Sequence, residues 1–393
     1  MQENEDMKKL AYIGIISFGL VSMFGDIIYE GARSVVPTYL EYLGATAVIV
    51  GIAAGLGEFI GYALRLISGY IADVKKSYWA FAILGYVLLI SIPLLAFAGH
   101  WMIAVVLILI ERTAKALRSP ARDTLLSVIT KGVGTGKAFG FHELMDQIGA
   151  VGGPAIIAII LFYTGNNYFY AFIALLVPYF MMVAVLATVY FKLKAKTYDL
   201  LKASSLSDKR KSQRLTKEFK IYTLAVLLNT AGLIHVSIIL YSATLITLPY
   251  IVVLLYLILQ AVDAFVAPMS GILYDKYGKS VLMVPFALSV LPAIFTFTGS
   301  FISIAIAAIL FGAILGMQES IYRAAISDMT AVQKRGTAYG IFNTAYGGGF
   351  LISGTIFGFL FDYRLFIVAI IYSIVLQVIA LMLLYSIKPP TTT

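Results

Sequence analysis

Long apolar runs alternate with short polar stretches along almost the whole chain of 393 residues. Each run holds about 20 or more mainly apolar residues, the length that a helix needs to span a bilayer. Some runs contain proline or glycine, which membrane helices tolerate. The pattern predicts twelve transmembrane helices, with spans near 10–36, 46–72, 78–98, 101–125, 138–163, 168–192, 220–247, 249–272, 280–299, 301–325, 337–360 and 364–387.

One long polar segment, residues 193–219, divides these runs into two sets of six. We therefore expect an N-terminal six-helix bundle at 1–192, a cytoplasmic linker at 193–219 and a C-terminal six-helix bundle at 220–393. The predicted fold class is an all-α membrane protein. The first apolar run is too long for the core of a signal peptide, so we expect it to be retained.

The composition agrees with a bilayer as the solvent. Hydrophobic residues make up 61% of the chain and charged residues only 12%, about half the share of a soluble protein. A soluble fold of this size could not bury so much apolar surface. The chain has no cysteine, which excludes disulfides, thiolate chemistry and cysteine-based metal sites.

Lysine and arginine gather in alternate loops, and ten of them lie between residues 192 and 220. The opposite loops hold only Arg364. By the positive-inside rule, both termini are expected in the cytoplasm, with the protein in the plasma membrane. The net charge of +9 then reflects membrane orientation, and no nucleic-acid partner is expected.

Two short motifs occur twice. Residues 67–79, ISGYIADVKKSYW, return at 269–281 as MSGILYDKYGKSV, and GKAFGF at 136–141 returns at 336–341 as GTAYGI. Both pairs are about 200 residues apart, which indicates an internal duplication. Transporters built from parallel repeats hold their substrate near the membrane midplane.

These features resemble the major facilitator superfamily over nearly the whole chain. The second motif copy looks like its loop signature, G-x-x-x-D-x-x-G-[RK], through Gly271, Asp275, Gly278 and Lys279. The first copy keeps Gly69 and Asp73 but has Lys76 where a glycine is expected. The resemblance implies that these loops take part in gating.

Two further segments carry the resemblance. Arg112 looks like the family's arginine in helix 4, and Gly149, Gly153 and Pro154 are similar to the G-x-x-x-G-P pattern of proton-driven antiporters. The resemblance implies a transporter of the drug and solute antiporter branch, not an enzyme.

Charged residues inside the apolar runs are the candidate functional groups. Asp26, Glu30 and Arg33 in helix 1 are spaced i, i+4, i+7 and share one helical face. A charge at the bilayer centre costs about 2.5–3.5 kcal/mol on insertion scales, so this face is expected to line a wet cavity. The alternative is an internal ion pair that only holds helices together.

Helix 4 repeats the pattern with Glu111, Lys115, Arg118 and Arg122. At 1.5 Å per residue, Glu111 and Arg112 are expected near the midplane. Arg118 and Arg122 approach the cytoplasm, where they are either ordinary surface charge or gate residues that pair with Asp73.

Other polar residues in the apolar runs are weaker candidates for the cavity: Glu58, Asp146, His235, Asp263 and Asn343. Asp146 has a structural alternative as the partner of a base in helix 4. For Asn343, packing and substrate contact are equally compatible with the sequence.

The working hypothesis is a monomeric, proton-coupled exporter of a small organic solute that works by alternating access, with the proton gradient as energy source and no cofactor. Asp26 or Glu111 would carry the proton and pair in turn with Arg112. The alternatives are a proton symporter or uniporter that imports a sugar, organic acid or peptide, and a non-transporting membrane sensor. The sequence offers no nucleophile–base pair or metal motif for an intramembrane enzyme.

Overall fold

The computed structural model describes residues 2–129, 135–204, 215–330 and 335–387, and the regular structure in these ranges is helical. The α-helices are α1 Gln2–Tyr42, α2 Ala47–Lys75, α3 Tyr78–Val87, α4 Trp101–Ile129, α5 Thr135–Tyr163, α6 Tyr168–Ala174, α7 Leu176–Ser204, α8 Lys217–Gly232, α9 Val236–Thr244, α10 Pro249–Tyr277, α11 Lys279–Leu288, α12 Leu291–Thr296, α13 Phe301–Met329, α14 Arg335–Asp362 and α15 Phe366–Ser386.

All twelve predicted spans are helical, which confirms the expected fold class. Ten helical stretches of the described chain are long and apolar enough to cross a membrane. The other two predicted spans differ for clear reasons. Helix α4 has the length but carries a row of charges, and the stretch Ser280–Thr296 is shorter.

Several spans contain a break that hydropathy did not reveal. Helix α3 continues through 3-10 turns at Leu88–Ser91 and Pro93–Phe97, and Pro292 lies in the first turn of α12. Proline lacks the N–H that an α-helix needs, so it interrupts the ladder of hydrogen bonds without changing the apolar character.

The chain divides into two compact units. Unit 1 comprises Met1–Arg33 and Leu64–Lys209, and unit 2 comprises Ser34–Ala63 and Arg210–Thr393. Helices α1 and α2 therefore each contribute to both units. The predicted linker begins inside α7, and its residues 205–214 lie outside the described chain. The domain boundaries given from the sequence stay a prediction.

Unit 1 has an apolar core formed mainly by α1, α3, α4 and α7. Phe18 stacks on Trp79 with ring centres 5.8 Å apart, and Trp79 meets Tyr190 edge to face at 5.4 Å. The indole N–H of Trp79 donates to Thr197 at 2.8 Å. Trp79 is therefore fixed on three sides at the start of α3.

In unit 2, Asp362 at the end of α14 fixes the start of α2. Its carboxylate accepts hydrogen bonds from the backbone N–H groups of Ala47 and Val48, both at 2.9 Å. The first N–H groups of a helix have no partner inside the helix, and the helix dipole favours a negative charge there. A residue more than 300 positions away thus acts as the cap of α2.

Candidate functional site

Tyr29 lies at the centre of a group of basic side chains in unit 1. It is buried on α1, and its hydroxyl accepts hydrogen bonds from Arg33, at 3.1 Å, and from Arg112. The ammonium nitrogen of Lys115 lies 3.7 Å from the centre of its ring, and the Arg112 guanidinium carbon lies 4.7 Å from it. The face of an aromatic ring attracts cations. Tyr29 therefore holds together three cations from α1 and α4.

The pattern of charges alone did not point to Tyr29. A signal existed, because Tyr29 lies three residues after Asp26 and four before Arg33, on the same helical face. The chain contains 26 tyrosines, however, so the position of Tyr29 in the sequence does not distinguish it from the others. The tertiary arrangement of α1 against α4 distinguishes this one.

Two carboxylates of this group pair with an arginine of their own helix. A Glu30 oxygen lies 3.7 Å from an Arg33 nitrogen, and a Glu111 oxygen lies 3.5 Å from Arg112 Nε. Glu111 is 1% exposed and Arg112 7%. The predicted residues of helices 1 and 4 are thus brought together, and the two arginines neutralise two of the acids.

Asp26 differs, because it lies among charges without a direct ion pair. In the described chain no basic nitrogen lies within 4.0 Å of its carboxylate. The charged groups that act on it are those of Asp146, Lys115, Glu30 and Arg118. A carboxylate with cations nearby but no fixed partner responds to small changes in its surroundings by gaining or losing a proton.

Asp146 on α5 has the partners that Asp26 lacks. Its carboxylate lies 3.3 Å from His142 Nδ1 and 4.0 Å from an Arg122 nitrogen. Arg122 also donates to Ser22 at 2.8 Å and pairs with Asp123 at 2.9 Å. This second group links α1, α4 and α5. It fits the structural alternative for Asp146 as the partner of a base in helix 4.

The gate ion pair considered for Asp73 is not formed in this structure. Asp73 accepts a hydrogen bond from the Tyr78 hydroxyl at 2.8 Å, and across the described chain neither Arg118 nor Arg122 lies within 4.0 Å of it. Arg118 is buried, with its guanidinium 5.4 Å from the ring of Tyr86. Arg118 is buried and Arg122 is held beside Ser22, Asp123 and Asp146, whereas Asp73 is exposed at the end of α2, which explains the absence. Their gating role stays a prediction.

Helix α5 packs closely on α1 through the glycines of the predicted antiporter pattern. A methyl group at Gly149 would lie 2.5 Å from the Met23 carbonyl oxygen, and one at Gly153 would lie 2.5 Å from that of Ile27. Pro154 follows inside the same helix. The glycines bring the α5 backbone next to Asp26, whose Cβ would lie 2.9 Å from a methyl group at Gly149. The antiporter role of the pattern remains a prediction.

The two copies of the loop signature form related turns from different residues. Lys76 has φ +53° in the first copy, and Gly278 has φ +56° at the same place in the second. This left-handed region suits glycine, so the first copy keeps a positive φ at this position in spite of its lysine.

The other gating candidates lie around these turns. Gly69 lies near Pro120, where an added methyl group would be 3.5 Å from that ring, and Gly271 lies near Ser320. Asp275 is exposed at the end of α10, and Lys279 begins α11 with a side chain outside the described part. Among the described residues of unit 2, no contact assigns a gate to Gly271 or Asp275.

Unit 2 contains a buried network of neutral polar groups centred on Asn229 of α8. The Asn229 amide nitrogen donates to Ser289 at 3.1 Å and to Gln377 at 2.7 Å. Its side-chain oxygen accepts from Gln318 at 3.1 Å and from Tyr322 at 2.7 Å. An Asn side chain has two donor hydrogens and two acceptor lone pairs, so Asn229 is fully satisfied. The sequence showed a polar residue in an apolar run but not this role.

Asn343 lies beside this network, in a small cleft of unit 2. The cleft is lined by Tyr62, Gln318, Glu319, Arg323, Phe342, Asn343 and Tyr346. Its volume of about 10 Å³ leaves room for about one water molecule. Tyr346 closes it by donating to Gln318 at 2.8 Å. This cleft is too small for an organic solute in the observed state.

The remaining candidates of unit 2 are buried in separate places. His235 caps α9, and its Nδ1 accepts from the backbone N–H of Ser237 at 3.1 Å. A methyl group added at Gly316 would lie 3.0 Å from a carboxylate oxygen of the buried Asp263. One added at Gly347 would lie 3.2 Å from the backbone oxygen of the buried Glu58. The described residues contain no group of three or more His, Asp or Glu able to hold a metal ion.

The sequence matches the family model described as Major Facilitator Superfamily over residues 14–284 and 242–393. It is 34% identical over 381 residues to an uncharacterized protein of Mycobacterium tuberculosis, which covers 95% of this chain and 92% of that protein. An uncharacterized MFS-type transporter of Methanocaldococcus jannaschii is 25% identical over 378 residues, or 92% of this chain and 91% of the relative.

Solved structures share the fold. The nucleoside transporter NupG superposes with a TM-score of 0.71 at 14% identity, over 95% of this chain and 100% of that chain. A D-xylose–proton symporter gives 0.69 at 15% identity, over 97% and 98%. At these identities the likeness concerns the fold and not the substrate.

Proposed function

Because the chain belongs to the major facilitator superfamily, we propose that it is a secondary active transporter that exports a small organic solute in exchange for protons. It would act in the plasma membrane with both termini in the cytoplasm, which the basic loops support. Alternating access would move the solute, and the proton gradient would supply the energy.

The observation that carries this proposal is the position of Asp26. Among the described residues it lies near Lys115, Arg118 and Asp146 with no ion pair of its own, whereas Glu30 and Glu111 each have an arginine nearby. Of the two acids considered for proton transfer, Asp26 is therefore the better candidate. Glu111 would keep Arg112 in place.

A proton on Asp26 would change the balance of charge around Tyr29. Deprotonated Asp26 attracts Lys115, which lies on the ring of Tyr29, and protonated Asp26 does not. Since α5 packs on α1 next to Asp26, the change would be felt at the contact between these helices. A charged or polar solute would compete for the same cations.

The test uses inverted membrane vesicles that contain the full chain and hold an acidic interior, followed with a fluorescent pH probe. Organic cations, anions, zwitterions, nucleosides, sugars and peptides are added outside, one at a time. An exporter releases the pH gradient when its solute is added on this side. A solute that releases the gradient only when preloaded inside would instead establish import by symport.

The variants then assign the roles. Asp26→Asn is expected to reduce solute-dependent proton release to the level of vesicles that lack the protein. Glu143 is an exposed carboxylate on α5, and Glu143→Gln is expected to leave proton release unchanged. Unchanged release in Asp26→Asn, Glu111→Gln and Arg112→Ala alike would overturn the proposed proton pathway.

A further inference from the structure

Unit 1 contains a cavity that the transport proposal does not use. It has a volume of about 480 Å³ and lies where α2 ends, α3 begins and α7 passes. Its walls include Lys76, Ser77, Tyr78, Trp79, Lys194 and Tyr198. These helix ends carry basic loops, which the positive-inside rule places at the cytoplasmic face of the membrane.

The apolar wall of this cavity is rigid. Trp79 is held by Phe18, Tyr190 and its hydrogen bond to Thr197. The indole N–H is therefore already used, and the ring offers apolar surface. Aromatic side chains at this depth are typical of the membrane interface, where acyl chains meet headgroups.

The polar part of the cavity is suited to an anion. Lys76 and Lys194 are both exposed, and none of the described lining residues is acidic. Ser77 adds a buried hydroxyl that has no hydrogen-bond partner in the described structure. Lys194 lies 4.9 Å from the ring of Tyr190, which keeps its ammonium group near the wall.

The backbone at Lys76 supports a role for its side chain. Lys76 has φ +53°, and the equivalent turn in unit 2 uses Gly278 at φ +56°. A lysine in this region is strained where a glycine is not. A strained residue at the rim of a cavity is a reason to look for a function of its side chain.

We propose that this cavity binds an anionic phospholipid of the cytoplasmic leaflet. The lipid phosphate lies between Lys76 and Lys194 and accepts a hydrogen bond from Ser77. The start of an acyl chain packs on Trp79 and Tyr198. The mainly apolar wall favours an amphiphile over a free anion, and basic pockets between helices on this side of a membrane suit such headgroups.

The chain has only two tryptophans, Trp79 and Trp101, so the site carries its own probe. In the Trp101→Phe variant, Trp79 reports alone. The purified full-length chain is placed in phosphatidylcholine vesicles with increasing amounts of brominated phosphatidylglycerol or brominated phosphatidylcholine, which quench tryptophan on contact. We expect the anionic lipid to quench Trp79 at a lower membrane fraction than the zwitterionic one.

Charge variants test the lysines. A lysine near the surface strengthens binding of an anionic lipid about five-fold, so Lys76→Gln with Lys194→Gln is expected to reduce the preference about 25-fold. The control removes two exposed lysines outside the cavity, Lys220→Gln with Lys276→Gln, and is expected to change it less than about two-fold. Lys76→Gly, which suits the turn, keeps the fold and removes one lysine.

Several results would overturn the proposal. Equal quenching of Trp79 by the two lipids would show that no specific site exists. An equal loss of the lipid preference in Lys220→Gln with Lys276→Gln would show the same. Full displacement by soluble inorganic phosphate would assign the cavity to a free anion. Quenching is read without solute transport, so failure here leaves the proposed export untouched, and failure of export leaves lipid binding untouched.

Discussion

Unit 1 buries the charged side chains of Glu30, Glu111, Arg112 and Arg118, whereas the buried polar groups described in unit 2 are mainly neutral. Around Tyr29, three cations and several carboxylates share a small volume, and within the described part of the chain Asp26 forms no direct ion pair. Around Asn229, amides and hydroxyls pair with one another, and Asn229 uses all its donors and acceptors. A charged group with an unfixed partner can respond to a proton or a solute, but a satisfied neutral network has no such freedom.

Polar side chains inside the apolar membrane thus serve two different purposes in the two units. Charges are expensive inside a membrane and are retained mainly where they work. Amides and hydroxyls that find all their partners hold helices together. This difference supports the proposal that proton coupling belongs to unit 1, and the Asn229 network of unit 2 is structural. Variants of both units test this difference.

The largest effect on stability is expected from Asn229→Ala. It leaves Ser289, Gln318, Tyr322 and Gln377 with unmet hydrogen bonds, and the expected loss is about 3 kcal/mol. The free energy of unfolding in detergent, measured by denaturant titration, checks this. Asn343→Ala in the nearby cleft is the control, with an expected loss below about 1 kcal/mol. Similar losses for both would mean that the network is not a structural centre.

Asp26→Asn is expected to give the opposite result. It should abolish solute-driven proton release but leave the free energy of unfolding unchanged or raised, since it removes a partly buried charge that has no ion pair. The two assays are run on the same preparation. A clear loss of stability with transport retained would mean that Asp26, like Asn229, has a structural role and does not carry the proton.

The close contact between α1 and α5 is tested by Gly149→Ala. The new methyl group would lie 2.5 Å from the Met23 carbonyl oxygen, and the helices must separate at a cost of about 2 kcal/mol. Gly152→Ala is a matched control, because its nearest neighbour would be 4.0 Å away. Both are measured by thermal unfolding and by proton release. Equal behaviour of the two variants would contradict the close contact beside Asp26.

Tyr29→Phe keeps the ring and removes the hydroxyl that receives Arg33 and Arg112. Hydrogen bonds to charged groups contribute about 1.5 kcal/mol or more, and we expect a loss near that value. Transport should weaken but remain, since Lys115 still lies on the ring. Tyr12→Phe, at an exposed site, serves as the control. A neutral result for Tyr29→Phe would show that the cations do not depend on its hydroxyl.

The smallest expected effect is a gain. Lys76→Gly relieves a left-handed residue and should stabilise the protein by about 1 kcal/mol in lipid-free detergent. Lys75→Gly, one residue earlier at the end of α2, should destabilise by a similar amount, because glycine is a poor helix former. The unfolding midpoints of Lys76→Gly and Lys75→Gly are compared. A fall for both variants would contradict the strain at Lys76.

Much of the fold followed from local pattern. The twelve spans were visible because a helix that crosses a membrane needs a continuous apolar run, and α4 was included in spite of its charges. The glycine face of α5 followed from spacing, since small residues at i and i+4 lie on one side of a helix.

The candidate site was only half visible. The charged faces of helices 1 and 4 were predicted, and the structure joins them through Tyr29, which the charge pattern passed over. The expected pair of Asp73 with Arg118 or Arg122 is absent, because Asp73 is exposed at a helix end, Arg118 is buried and Arg122 is held by other partners.

The spans, the polar faces of the helices and the basic loops could be predicted from the sequence, because they depend on residues close together along the chain. The tertiary structure alone decided that Lys115 lies on Tyr29, that Gln377 meets Asn229 and that Asp362 caps α2. These contacts join residues about 90 to more than 300 positions apart. The physical reason is that helical periodicity fixes the direction of a side chain about its own axis, whereas helix packing fixes what that side chain meets.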